Sequence, residues 1–198
     1  MAGIFANTEE IVLASGSPRR QAYLTEMGLS FCVVPASIEE KCASGENPIQ
    51  YIQRLAKEKA LCVAAQYPES WIVAADTVVC LDDMLLEKPL DKEDAVKMLL
   101  TLSGREHIVR TALCLHNSEK LVSKICSVST RVAFWDFTED VARAYLDSGE
   151  PMDKAGSYGI QGQGAFLVRQ IHGSYSNVVG LPLYEFIEML TQCEIITN

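Results

Sequence analysis

The chain has 198 residues, 48% of them hydrophobic and 22% charged, with a formal net charge of −9. This length and composition suit a well-buried globular domain, alone or with two lobes around a cleft, and exclude a disordered chain. The acidic balance argues against gripping nucleic-acid backbone, which needs clustered positive charge, and no apolar run reaches the length of a membrane span. The seven cysteines are scattered, odd in number and never spaced C-x-x-C, which points to a reducing cytosol, with most of them expected as small core residues. Met1 to Thr8 has no basic stretch followed by an apolar one, so no signal peptide is expected and the protein reads as cytoplasmic.

Ile11 to Ala14 predicts a short buried strand, broken by Ser15-Gly16-Ser17. Pro18 suits the first position of a helix and Ser17 its N-cap, so the stretch reads as strand, tight turn and helix start. Arg19 and Arg20 bring two guanidinium forks to the positive end of that helix. Two readings follow: a phosphate-type anion site, or an ordinary capped helix whose arginines face water. The helix runs from Arg19 to Met27 and stops at Gly28, and Phe31 to Ala36 is a second strand ending in Ser37-Ile38-Glu39-Glu40. Asn47-Pro48 opens a helix to Ala65 with Ile49, Ile52, Leu55, Ala56, Ala60 and Val63 on its apolar face. Lys57 and Lys59 point elsewhere around it, for which a solvated face is the plain reading.

Trp71 to Ala75 is a uniformly apolar strand that ends at Asp76-Thr77. A carboxylate at the end of a central strand needs a metal, a basic partner or catalytic work to offset its burial. Leu81 to Leu86 predicts a hairpin turn, Glu87-Lys88-Pro89 follows, and Asp91 caps a helix to Leu102 that Ser103-Gly104 ends. His107 to His116 and Leu121 to Phe134 read as long strands, and Thr138 starts a helix that stops at Gly149. Asp153 to Gly164 carries four glycines among polar residues. It reads as a binding loop or a mobile linker, and Lys154, Tyr158, Ile160 and Gln161 favour the loop. Ala165 to Ile171 is a strand, Gly173 to Gly180 a polar turn, and Pro182 opens a terminal helix to Cys193. No repeat or linker divides the chain, which reads as one domain over residues 1–198.

There is no Walker A pattern, and the G-x-x-G-x-G around Gly159 runs opposite to the dinucleotide fingerprint. His107, His116 and His172 give no basis for a Ser-His-Asp triad, and each is better read as structural. What remains is a set of basic groups at loop and helix starts (Arg19, Arg20, Lys59, Lys88, Lys154) and carboxylates at strand ends (Glu40, Asp76). Such groups can hold phosphate oxygens, bind a divalent cation and orient water, which is the equipment for hydrolysing a phosphoanhydride.

Seven stretches in order resemble the successive motifs of the Maf family of nucleoside triphosphate pyrophosphatases: Leu13 to Arg20, Arg54-Leu55-Ala56 with Lys59-Ala60, Ala75 to Val79, Glu87-Lys88-Pro89, Ser103-Gly104 with His107, Asp153 to Gly162, and Asn177 to Pro182. The resemblance implies a two-lobed α/β fold like that of inosine triphosphate pyrophosphatases, with an elongated mixed sheet flanked by helices and a cleft between lobes. It also implies a homodimer, and cleavage between the α and β phosphates to the nucleoside monophosphate and pyrophosphate with Mg²⁺ or Mn²⁺. Position by position, Asp76 matches the proton acceptor that activates water, and Glu40 with Asp76 matches the metal ligands. Ser15, Arg19, Lys59 and Lys88 match phosphate-contacting positions, and Arg20, Thr77 and Gln161 match those that set base preference. Asp76-Thr77 and Tyr158 to Gly162 resemble the branch acting on dTTP and UTP. The Gln161 amide offers a donor and an acceptor together, which suits the O4 and N3–H edge of uracil or thymine. Where Ser37 stands, some members carry an aspartate. The alternative implied is a nucleotide-binding regulator of septum formation or cell division with little turnover.

Overall fold

The computed structural model describes residues 4–82 and 84–197. In chain order these form β1 (Ala6–Asn7), β2 (Ile11–Leu13), α1 (Pro18–Met27), β3 (Phe31–Val33), α2 (Pro48–Ala64), β4 (Trp71–Leu81), β5 (Met84–Leu86), α3 (Lys92–Leu102), β6 (Glu106–Asn117), β7 (Val122–Phe134), α4 (Glu139–Leu146), β8 (Val168–His172), α5 (Tyr175–Val179), α6 (Leu183–Gln192) and β9 (Ile196–Thr197). The described residues make a seven-stranded sheet in the order β3-β2-β4-β6-β7-β8, with β5 paired to β4, and a two-stranded sheet of β1 and β9. β2 runs parallel to both β3 and β4, whereas β5 and β8 pair antiparallel, so the fold is mixed α/β. The chain forms two compact units: 1–76, 111–127 and 180–198 make the first, 77–110 and 128–179 the second, so β4, β6 and β7 contribute to both. No helix among the described residues is long and apolar enough to cross a membrane.

In the first unit, local signals decide where the helices begin and end. Gly28 takes φ 88°, the left-handed conformation that a Cβ disfavours, and its N–H bonds Thr25 O while that of Leu29 bonds Leu24 O. This is the Schellman stop that ends α1. α2 starts with a full capping box: the Asn47 side chain accepts from the N–H groups of Ile49 and Gln50, and the Gln50 side chain accepts from Asn47 N–H. Tyr51, Ile52, Leu55, Ala56, Ala60 and Val63 form its buried face, but Ile49 in the first turn is exposed, contrary to the periodic reading. The outermost strand β3 is three residues long, shorter than predicted, and the chain then continues without regular structure to Asn47.

In the second unit, α3 and α4 pack together over a core that includes Leu81, Leu99, Leu102, Phe134, Phe137, Leu146 and Leu167. Asp91 caps α3 by accepting from Asp94 N–H, as predicted. The polar turn expected over Gly173 to Gly180 contains α5 instead: Ser174 Oγ accepts from Asn177 N–H, and the buried Asn177 amide donates to Val109 O and Thr130 Oγ1. The expectation that most cysteines are core residues also fails. All seven are free, only Cys80 and Cys114 are buried, and Cys32 on the outermost strand and Cys42 in the following loop are exposed.

Candidate active site

The strand that carries Asp76 does not end there. β4 continues from Trp71 through Leu81, because its backbone stays in register with neighbouring strands, so Asp76 stands in mid-strand rather than at a strand end. Its parallel neighbour β2 stops at Leu13, opposite Val73, and the chain leaves through Ser15-Gly16-Ser17 into α1. Asp76 therefore lies just past the carboxyl end of β2, the position where α/β sheets leave room for ligands.

The carboxylate is buried, and its partner comes from α2. Lys59 Nζ donates to Asp76 Oδ1 at 2.6 Å and also contacts Glu40 Oε1 at 2.7 Å. Side-chain exposure is 12% for Lys59 and 9% for Asp76 but 42% for Glu40, so the ammonium sits between a buried carboxylate and one open to solvent. The plain reading of Lys59 as part of a solvated face is thereby corrected: it lies between the core-facing residues of α2 and the loop that bears Glu40. Arg54, one turn earlier, holds that loop. Its Nε and Nη2 grip the two carboxylate oxygens of Glu46 at 2.8 Å each, and Nη2 also donates to Lys41 O at 2.8 Å. The same fork holds the Glu46 carboxyl down to about 2.

The start of α1 faces this group. Ser17 occupies the N-cap place but makes no side-chain cap bond, which corrects its expected role. The hydroxyl that works there is Ser15 Oγ, which accepts from Ser17 N–H at 3.3 Å and from Arg20 Nη1 at 2.9 Å. Arg20 Nε donates to Gly180 O at 2.8 Å, so the guanidinium joins the strand exit to the start of the C-terminal segment. Burial, and then the Arg19 charge, lower its pKa to about 10 against the opposing pull of the Asp76 and Glu40 carboxylates. Ser15, Arg19, Arg20, Glu40, Lys59 and Asp76 thus form one charged constellation of three cations and two carboxylates in the first unit. The arrangement can present guanidinium and ammonium donors to phosphate oxygens beside a carboxylate able to take a proton.

The remaining candidate site residues, Thr77, Lys88 and Gln161, belong to the second unit, as do Lys154 and His107. Thr77 follows Asp76 on β4, and successive strand residues leave opposite faces. Lys88 is exposed after β5, and Gln161 is exposed between short 3₁₀ turns at Ala155–Ser157 and Gly162–Leu167. Lys154 Nζ contacts Asp153 at 2.5 Å and donates to Glu150 O. His107 is structural, as expected: Nε2 meets Tyr158 Oη at 2.8 Å, Nδ1 has no hydrogen-bond partner among the described residues, and burial lowers its pKa to about 3. The sequence alone assigns no role to Arg54, Tyr145 or Glu150. Arg54 reaches Lys41 O, and Tyr145 and Glu150 reach the N–H groups of Gly159, Gln163 and Gly164, across 13 or 14 residues, separations that leave no local signal.

Among the described residues no three His, Cys, Asp or Glu side chains gather to hold a metal on their own. Asp76 and Glu40 do converge, since both touch one nitrogen. Two hard carboxylate oxygens fit a Mg²⁺-type ion that also takes water and substrate phosphates.

The model of the Maf-like protein family matches residues 10–193. The chain is similar to the dTTP/UTP pyrophosphatase of Desulfotalea psychrophila, 51% identical over 187 residues that cover 94% of this chain and 96% of the relative. It is also similar to the dTTP/UTP pyrophosphatase of Nitratidesulfovibrio vulgaris, 48% identical over 95% of this chain and 90% of the relative. Among solved structures it is similar to the Staphylococcus aureus Ham1 protein, with a TM-score of 0.47 and 12% identity over 81% of this chain and 80% of that one.

Proposed function

We propose, on the premise that this chain belongs to the Maf family, that it hydrolyses dTTP and UTP between the α and β phosphates to the nucleoside monophosphate and pyrophosphate. One observation carries the mechanism: Lys59 is bonded at once to the buried Asp76 and to Glu40. A buried carboxylate oriented by a fixed ammonium suits a proton acceptor. Asp76 takes a proton from water, the water oxygen bonds to phosphorus, and the α–β bridging bond breaks with its electron pair leaving on pyrophosphate. Arg19, Lys59 and Lys88 neutralise the phosphate oxygens, the charge stabilisation that dominates phosphoryl chemistry. Ser15 donates to a phosphate oxygen from the same turn, where Arg20 holds it in place. Asp76 and Glu40 would hold a divalent cation, Mg²⁺ or Mn²⁺, whose chemistry is to polarise and screen the phosphates. Arg20, Thr77 and Gln161 set base preference, with the Gln161 amide reading the O4 and N3–H edge of the pyrimidine. A homodimer in the cytoplasm, without nucleic-acid or membrane partners, completes the reading.

The test is pyrophosphate release from dTTP, UTP, CTP, ATP, GTP and 7-methyl-GTP with Mg²⁺ or Mn²⁺, with Asp76→Asn as control. Release confined to dTTP and UTP, and lost in the variant, is the expected outcome. Nucleotide binding without release from any of the panel would instead favour a nucleotide-binding regulator.

A further inference from the structure

The segment Gly159 to Gly164 carries Gln161, yet no β-ladder pairs with it. What holds it is one carboxylate and one phenol. Glu150 Oε2 accepts from Gln163 N–H at 2.8 Å and Glu150 Oε1 from Gly164 N–H at 3.2 Å. Tyr145 Oη, on α4, accepts from Gly159 N–H at 3.1 Å and donates to Glu150 Oε1 at 2.8 Å. Backbone amides on both sides of Gln161 are therefore tied to the same pair of side chains.

The glycines follow from this. A Cβ at position 164 would stand 2.3 Å from Tyr145 Oη and 2.5 Å from Gly159 O, and one at position 162 would stand 2.6 Å from Glu150 Oε2. Position 162 also has φ +78°, where any side chain is strained. The segment is wrapped so closely around Glu150 that only hydrogen fits at these places. Glu150 is itself braced, because Lys154 Nζ donates to its carbonyl and Ser148 Oγ accepts its N–H at 3.2 Å. Burial works against its ionised form, yet the Tyr145 hydroxyl and the Gln163 and Gly164 N–H groups hold its carboxyl below the ordinary glutamate value.

We propose that Glu150, braced by Tyr145, is a positioning residue that sets the backbone presenting Gln161 and through it the discrimination among pyrimidine bases. This rests on the reading of Gln161 given above. The variants are Glu150→Gln, which turns one acceptor oxygen into an NH₂ facing a backbone N–H, and Tyr145→Phe, which keeps the ring and removes the hydroxyl.

Kinetics with dTTP and CTP on the full-length protein are expected to show KM for dTTP rising about tenfold and the dTTP-to-CTP preference falling about tenfold, the size of one misplaced hydrogen bond, with kcat within about twofold. The preference of Glu150→Gln/Gln161→Ala should be no lower than that of Gln161→Ala alone, because both changes remove one interaction. Hydrogen exchange at residues 159–164 should also speed up in both single variants, without reference to activity. An unchanged preference in Glu150→Gln and Tyr145→Phe, where Gln161→Ala lowers it, overturns the proposal. If Gln161→Ala leaves the preference intact while exchange still speeds up, the proposal falls through its premise about Gln161, and the clamp on the backbone survives.

Discussion

Lys59 is the residue on which the charged constellation depends. Asp76 and Lys59 are both largely buried, so removing either partner leaves a charge without compensation in a poorly solvated place. Lys59→Met is expected to cost about 3 kcal/mol of stability, read from urea unfolding, with Glu40 adding little because its side chain is open to solvent. Asp76→Asn in the Lys59→Met background should recover part of that loss, since it removes the stranded charge. His107 gives a pH dependence of known sign. Its pKa is 6.5 in the unfolded chain and about 3 when folded, so below pH 6.5 the unfolded state takes up a proton that the folded state refuses. Stability therefore falls as pH drops from 6.5 towards 3, at no more than about 1.4 kcal/mol per pH unit. Urea midpoints of His107→Phe are expected to be flatter than those of the unsubstituted protein between about pH 5 and 6.5, a window chosen above most carboxylate titrations.

Among the elements, α2 does the most positioning. Its capping box fixes where the helix starts, its buried face fixes its rotation, and together these decide where Arg54 and Lys59 point. Asn47→Ala is expected to destabilise the protein by about 1 kcal/mol, measured by chemical denaturation, through loss of the two N–H groups that Asn47 satisfies. Between β3 and α2 the chain is irregular, and the Arg54–Glu46 fork replaces a ladder in holding it. The glycine-rich stretch works by the same logic. The sequence predicted backbone close to something there, and the observed partners are protein groups: Val79 beneath Gly156, and Tyr145 and Glu150 beneath Gly159 to Gly164.

At the scale of the whole molecule, β4, β6 and β7 belong to both units, so neither unit owns a complete set of strands. Each of these strands runs unbroken from one unit into the other, so unfolding one unit frays strands that continue into the other, and a single cooperative transition is expected. One tryptophan reports from each unit, Trp71 in the first and Trp135 in the second. In Trp71→Phe and in Trp135→Phe, the urea midpoint by fluorescence should coincide with that by far-UV circular dichroism. Separate midpoints would mean that the units unfold independently.

Local chemistry makes much of this protein legible in its sequence. Gly28, Asn47-Pro48 and Asp91 marked the helix ends because capping involves residues only a few positions apart, and the apolar run from Trp71 marked the central strand because burial on both faces selects apolar residues. Ordered motifs were enough for the family, since Ser15, Arg19, Lys59 and Asp76 stand within short recognisable strings. Only the tertiary structure decided that Asp76 lies in mid-strand, that Lys59 spans two carboxylates, that Ser15 rather than Ser17 anchors the turn, and that Glu150 and Tyr145 grip the Gln161 segment. The bonds of Ser15 are local but turn on the backbone path at the strand exit, whereas the other facts depend on hydrogen bonds or ladders between segments 13 or more residues apart. Such pairings are set by packing the whole core and leave no periodic or spacing signal in the residues themselves.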